Sequence, residues 1–98
     1  MVYRWELMTL SVARGETQFR DDYLNDMDGR HVLEEALNVA PVNERSRFAD
    51  RVRRADDEIR RYLVATDECI WGAENAKIYG YSRERDWWYY HQPASGLS

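Results

Sequence analysis

Nucleophilic or metal chemistry in this chain would have to draw on one cysteine, Cys69, and two histidines, His31 and His91. A cysteine beside a histidine can form a thiolate nucleophile with its base. With a carboxylate added, the same residue types can hold zinc. The spacing supports neither, because the chain has no Cys-x-x-Cys or His-x-x-x-His pair and no local signature ties the three residues together. Adjacent carboxylates occur at Asp21 and Asp22, Asp56 and Asp57, and Asp67 and Glu68. Neighbours on a helix diverge by about 100°, so such pairs point apart instead of converging on one reacting atom. Gly72 and Gly80 show no phosphate-cradling pattern around them. The chain therefore reads as a non-enzyme with no metal or cofactor, and Cys69 as a structural thiol.

Arginine is the next candidate for function. Of the 14 basic residues only Lys77 is lysine, and seven arginines lie between Arg45 and Arg61. Projected on a helix, Arg47, Asp50, Arg54, Asp57 and Arg61 form one ladder, and Arg53, Asp56 and Arg60 form a second. A phosphate-binding face presents unpaired cations, whereas these ladders neutralise themselves. The net charge of -4 also argues against nucleic acid. The alternative reading is a small nucleic-acid-associated regulator of the antitoxin or phage-factor kind. It would use Arg83, Arg85 and the unladdered Arg45 and Arg51, and would bind with a steep salt dependence.

The densest signal is aromatic. Tyr79, Tyr81, Trp87, Trp88, Tyr89 and Tyr90 put six rings into twelve residues. As a strand, Trp87 and Tyr89 would face one side and Trp88 and Tyr90 the other; as a helix they would point nearly all round. Both sides then need cover, either from the core of a small domain or from another molecule. Tryptophan and tyrosine bury much area while keeping a polar handle, and they dominate binding hot spots. The expected interface is Trp71, Tyr81, Trp87, Trp88, Tyr89 and Tyr90. The expected function is a non-enzymatic adaptor that binds a protein partner or its own copy as a homodimer.

These residues must be positioned by helices. Phe48, Val52, Ala55, Ile59, Tyr62 and Thr66 follow one another at steps of four and three, with Leu63 beside them, which predicts one long helix capped by Asn43. Val32, Leu33, Ala36, Leu37 and Ala40 predict a shorter helix before it, capped at Asp26 or Asp28 and stopped by Pro41. Together they form an antiparallel hairpin over 29–66. Upstream, in an N-terminal segment 1–27, Phe19, Tyr23, Leu24 and Met27 mark a separate helix from about Glu16 to Asn25. Val2 to Val12 fits a strand through Tyr3, Trp5 and Leu7 or a helix through Trp5, Met8 and Val12, and helix is preferred. In an aromatic-rich segment 67–93, a turn at 67–72 leads to a short helix from Ala73 to Tyr79 stopped by Gly80. Pro93 ends any regular element, and 94–98 reads as a disordered tail. The fold expected is a small, mainly α helical bundle in a single domain.

With 98 residues, 44% of them hydrophobic and 33% charged, the chain has enough apolar content to fold but no stretch approaching a membrane span. Arg4, Glu6 and Arg14 interrupt the N-terminal apolar stretch, so no signal peptide is read there. A lone cysteine suits a reducing compartment, and the expected location is the cytoplasm. The run Arg30-His31-Val32-Leu33-Glu34-Glu35-Ala36-Leu37, then Pro41, then a helix with Asp56 or Asp57 and Thr66, then Trp87-Trp88, resembles small uncharacterised proteins of GC-rich actinobacteria. That resemblance implies helical character and an intracellular setting, and it implies no activity.

Overall fold

The computed structural model describes residues 1–98. Four helices, α1 (Val2–Ala13), α2 (Arg20–Val39), α3 (Val42–Arg60) and α4 (Ala73–Tyr79), carry most of the chain. Two short strands, β1 (Leu63–Ala65) and β2 (His91–Pro93), pair antiparallel, and a 3-10 helix, Trp87–Tyr90, leads into β2. The architecture is the expected mainly α bundle with an aromatic-rich C-terminal segment.

In α1 the helical period prevails over the strand-like alternation. Trp5, Met8, Thr9 and Val12 are buried on one face, while Tyr3, Leu7 and Leu10 remain exposed. The left-handed backbone of Gly15, at φ 73°, then turns the chain away.

α2 corrects the sequence reading. The two helices expected at 16–25 and from Asp26 or Asp28 onward are one helix of 20 residues. Its buried stripe Tyr23, Met27, Arg30 and Leu33 runs unbroken through Gly29. A mid-helix glycine costs about 1 kcal/mol relative to alanine, and a continuous buried face outweighs that. Asp26 and Asp28 are therefore interior helix residues and cap nothing. Pro41 does end the helix, holding Ala40 extended.

α3 begins at Val42 with Pro41 in the N-cap position, so Asn43 is not the cap. Val52, Ala55 and Ile59 are its buried seam, but the helix stops at Arg60, short of Tyr62 and Thr66. Leu63 to Ala65 instead enter the sheet, in register with Pro93, Gln92 and His91. The partner strand is some thirty residues away, which helical periodicity cannot register. The α2–α3 hairpin forms, and Arg45 ties it by donating to the carbonyls of Leu37 and Ala40, both at 3.1 Å. The main neighbour of α3, however, is α1, not α2. Thr9 reaches the Ala55 carbonyl and Glu6 pairs with Arg51 along that contact.

The core joins all these parts, with Tyr23, Met27, Ile59, Trp88 and Tyr89 the most deeply buried. The expected disordered tail is instead attached. Ser98 donates to the Gln18 carbonyl and accepts from the Arg20 amide, both at 2.9 Å, and Leu97 packs on the core. No helix is long and apolar enough to cross a membrane.

Candidate functional site

Asp86 organises the aromatic segment. Its carboxylate accepts from the Ser82 amide at 3.0 Å and from Arg85, closing the turn, and its carbonyl accepts from the Tyr89 amide to start the 3-10 helix. A 3-10 helix sends successive side chains about 120° apart. Four consecutive rings therefore point in several directions, and most find cover inside the molecule. Trp88, Tyr89 and Tyr90 are buried, and Trp87 is half-buried under the Arg60 guanidinium, 4.4 Å from the ring centroid.

Polar handles fix these rings in place. Tyr89 donates its hydroxyl to Asp28 at 2.7 Å and Tyr90 to the Tyr81 carbonyl at 3.0 Å. Tyr23 donates to the His91 carbonyl at 3.1 Å, and His91 Nδ1 lies 2.8 Å from the Trp87 carbonyl. Burial, first, and the Asp28 carboxylate, second, hold the Tyr89 phenol far above its ordinary pKa. Burial does the same to Tyr23. Three of the six residues expected at an interface, Trp88, Tyr89 and Tyr90, are thus core residues. The reason is largely α2, whose Arg30 and His31 lie against the Trp88 ring and whose Asp28 accepts from the Tyr89 hydroxyl.

Of the other three expected interface rings, Trp87 lies apart beneath Arg60, while Trp71 and Tyr81 stay half-buried and meet at a surface cleft of about 330 Å³. The cleft is lined by Asp28, Trp71, Asn75, Tyr79 and Tyr81. Tyr79 stacks on Tyr81, with centroids 5.6 Å apart and planes 24° apart, and Tyr81 continues onto Tyr89 at 4.4 Å. The Trp71 indole donates to Asp28 at 3.1 Å, and Asn75 anchors the Trp71 carbonyl at 2.8 Å. Asp28 and Tyr79 were outside the expected site. Asp28 had been read as a helix cap, and no spacing links it to residues more than forty positions downstream.

A second cluster lies where α1, α2 and α3 meet. Arg30, 4% exposed, makes a bidentate contact with Asp56 at 2.9 and 2.8 Å, and a further bond to Glu34 at 3.0 Å. The Trp5 indole donates to Asp56 at 2.9 Å, and the guanidinium lies 4.4 Å from the Trp88 ring. Burial works against the charge on Arg30, but Asp56 and then Glu34 outweigh it and raise its pKa. Every charge here has a partner within the fold, so the cluster acts as a fastening.

Asp56 is consequently absent from the outward ladder in which the sequence placed it. On that face Arg53 pairs with Asp50 at 3.3 Å and Arg61 with Glu58 at 3.5 Å, while Arg60 covers Trp87. The four arginines of the nucleic-acid alternative are all engaged within the chain: Arg45 at the α2 carbonyls, Arg51 with Glu6, Arg83 at the Asp67 carbonyl and Arg85 with Asp86.

The residues considered for catalysis are held in separate settings. Cys69 is buried, and desolvation pushes its thiol upward. His31 contacts Glu35 at 3.1 Å and approaches Asp86 at 3.8 Å, while His91 serves the Trp87 carbonyl. No group of three or more His, Cys, Asp or Glu side chains is placed to hold a metal ion. Comparison with protein-family models, with curated proteins and with solved structures gives no match for the chain.

Proposed function

We propose that the protein is a non-enzymatic binding protein that recognises a protein partner through the cleft formed by Asp28, Trp71, Tyr79 and Tyr81. One observation carries this reading. The core absorbs Trp88, Tyr89 and Tyr90, and Arg60 covers Trp87, whereas Trp71, Tyr79 and Tyr81 meet at one cleft, where Tyr79 is 66% exposed. Aromatic side chains with one wet end and one anchored end are the usual material of binding hot spots. Tyr79→Ala tests the reading, because an exposed side chain can be removed without opening the core. Partner capture by the intact protein should fall sharply in the variant, with an unchanged circular dichroism melt, and should be reproduced with the purified partner. Equal capture by both proteins would place the binding surface elsewhere.

A second reading, self-association, draws on a different place. Val2, Leu33, Leu37 and Phe48 line an apolar groove of about 430 Å³ between α1 and the hairpin. Beside it, at the hairpin tip, Val39 and Val42 are 84% and 72% exposed. A two-fold dimer needs one face that carries both projection and recess, and this face has both. Sedimentation across a wide concentration range should show a dimer that Val39→Glu converts to monomer. A monomer throughout would remove this reading.

A further inference from the structure

We infer that the Asp28 cleft takes an alkylammonium cation, such as a lysine side chain or a methylated ammonium head. The inference rests on the reading of this cleft as the recognition surface, and it adds the chemistry of what is recognised.

Both side-chain hydrogen bonds to Asp28, from the Trp71 indole and from the Tyr89 hydroxyl, end on the same oxygen, Oδ1. Oδ2 therefore has its acceptor capacity free, and Asp28 lines the cleft. None of the five lining residues is basic, and Asp28 has no ion-pair partner within the protein. The other walls are Asn75 and the rings of Trp71, Tyr79 and Tyr81; Tyr81 lies between Tyr79 and Tyr89, so the electron-rich faces left to a ligand are those of Trp71 and Tyr79.

This combination selects by charge. An anion would meet a carboxylate and aromatic faces of the same sign. A neutral apolar group would desolvate Asp28 without giving it a donor, which is costly. An alkylammonium satisfies both elements: its charge, and any N–H it carries, meet Oδ2, while its methyl or methylene groups lie against the rings. The open cleft, about 330 Å³, has room for the head and the first methylenes behind it.

The test is an NMR titration of the full chain that follows the Trp71 indole N–H, with tetramethylammonium and butylammonium as probes. The control is the neutral isostere of choline in which carbon replaces nitrogen. The expected result is a saturable shift with a Kd in the millimolar range, as fits a small cation over a few rings. Asp28→Asn keeps an Oδ1 acceptor for Trp71 and Tyr89 and puts an N–H₂ donor in place of Oδ2, so it should weaken binding by about tenfold or more. Tyr79→Ala, which leaves the core untouched, should weaken it severalfold.

A preference for tetramethylammonium would point to a methylated head, and a preference for butylammonium to an unmodified lysine; either supports the inference. It is overturned if neither probe gives a saturable shift, if the neutral isostere binds as well, or if Asp28→Asn binds as tightly as the parent. Partner capture that depends on Tyr79 without any cation binding would sink the inference and leave the proposed function standing. Cation binding with capture unaffected by Tyr79→Ala would do the reverse.

Discussion

The three long helices and the C-terminal third of the chain are held together by different means. Along α1, α2 and α3 the buried positions recur at helical spacing and the cohesion is mainly apolar, with polar contacts from Arg30 and Trp5 to Asp56, from Thr9 to the Ala55 carbonyl and between Arg51 and Glu6. From Leu63 onward there is little regular structure. Side-chain groups there meet particular partners: the Tyr89 hydroxyl and Trp71 indole donate to Asp28, the Tyr90 hydroxyl donates to the Tyr81 carbonyl, and the Asp86 carboxylate accepts from the Ser82 backbone amide. Burying apolar area is non-directional and tolerates small shifts, whereas a hydrogen bond holds its donor and acceptor to a narrow range of distance and angle. A segment poor in aliphatic residues can thus be held in one conformation by the polar ends of its aromatic rings. The rings left over after that are free to form a surface.

The strongest way to break this contrast is to attack the most deeply buried ion pair of the helical part. Asp56→Ala would leave the buried Arg30 guanidinium with only the more exposed Glu34. Stability should fall by about 3 to 5 kcal/mol, read by chemical denaturation. The melting temperature should drop by on the order of 20 °C. A loss below about 1 kcal/mol would show that the pair is dispensable and the helices cohere through apolar packing alone.

In the C-terminal part, Tyr89→Phe should cost less, about 1 to 2 kcal/mol. It removes one buried hydrogen bond while Trp71 continues to donate to Asp28. A neutral outcome would mean that ring packing, and not the polar handles, fixes this segment.

The same tyrosines give a pH signature. Folded Tyr23 and Tyr89 have raised pKa values, and unfolded tyrosine ionises near its ordinary value of about 10. The folded state therefore keeps protons that the unfolded state gives up. The stability contributed by these groups is fully present below about pH 10 and is lost as pH climbs toward their folded-state values. Denaturation midpoints should decline above about pH 10, with a shallower decline in Tyr89→Phe. Absorbance near the phenolate band should show these two rings ionising only as the protein unfolds.

The smallest effect is expected on the outward face of α3. Arg61→Ala removes an exposed pair with Glu58 and should change stability by no more than about 0.5 kcal/mol. A larger loss would mean that the solvent face of α3 also contributes to cohesion.

Much of this architecture was legible in the residues. The stripe Val52, Ala55 and Ile59 foretold α3, Trp5, Met8 and Val12 foretold α1, and Gly80 marked the end of α4 with its left-handed backbone at φ 71°. Most of the illegible parts share one property: they depend on partners distant in sequence. Whether α3 continued through Tyr62 was decided by β2, which pairs with Leu63 to Ala65. Asp56 looked like a rung of a surface ladder because Arg53 and Arg60 lie three and four positions away. It turns inward because Arg30, 26 positions upstream, is buried and needs its charge met. Whether Trp88 and Tyr89 were core or interface stayed open in the sequence because their cover comes from α2, through Arg30 and Asp28.

The sequence by itself determined that the chain is mainly helical, which face of α3 is apolar, and that an excess of aromatic rings must be accommodated near the C-terminus, because helical period and composition are local properties. Only the tertiary structure decided which rings are core and which are surface. It also placed Asp28, 43 positions upstream of Trp71, among them. That choice is set by packing and by hydrogen bonds between residues far apart in the chain, and no local pattern of residues encodes it.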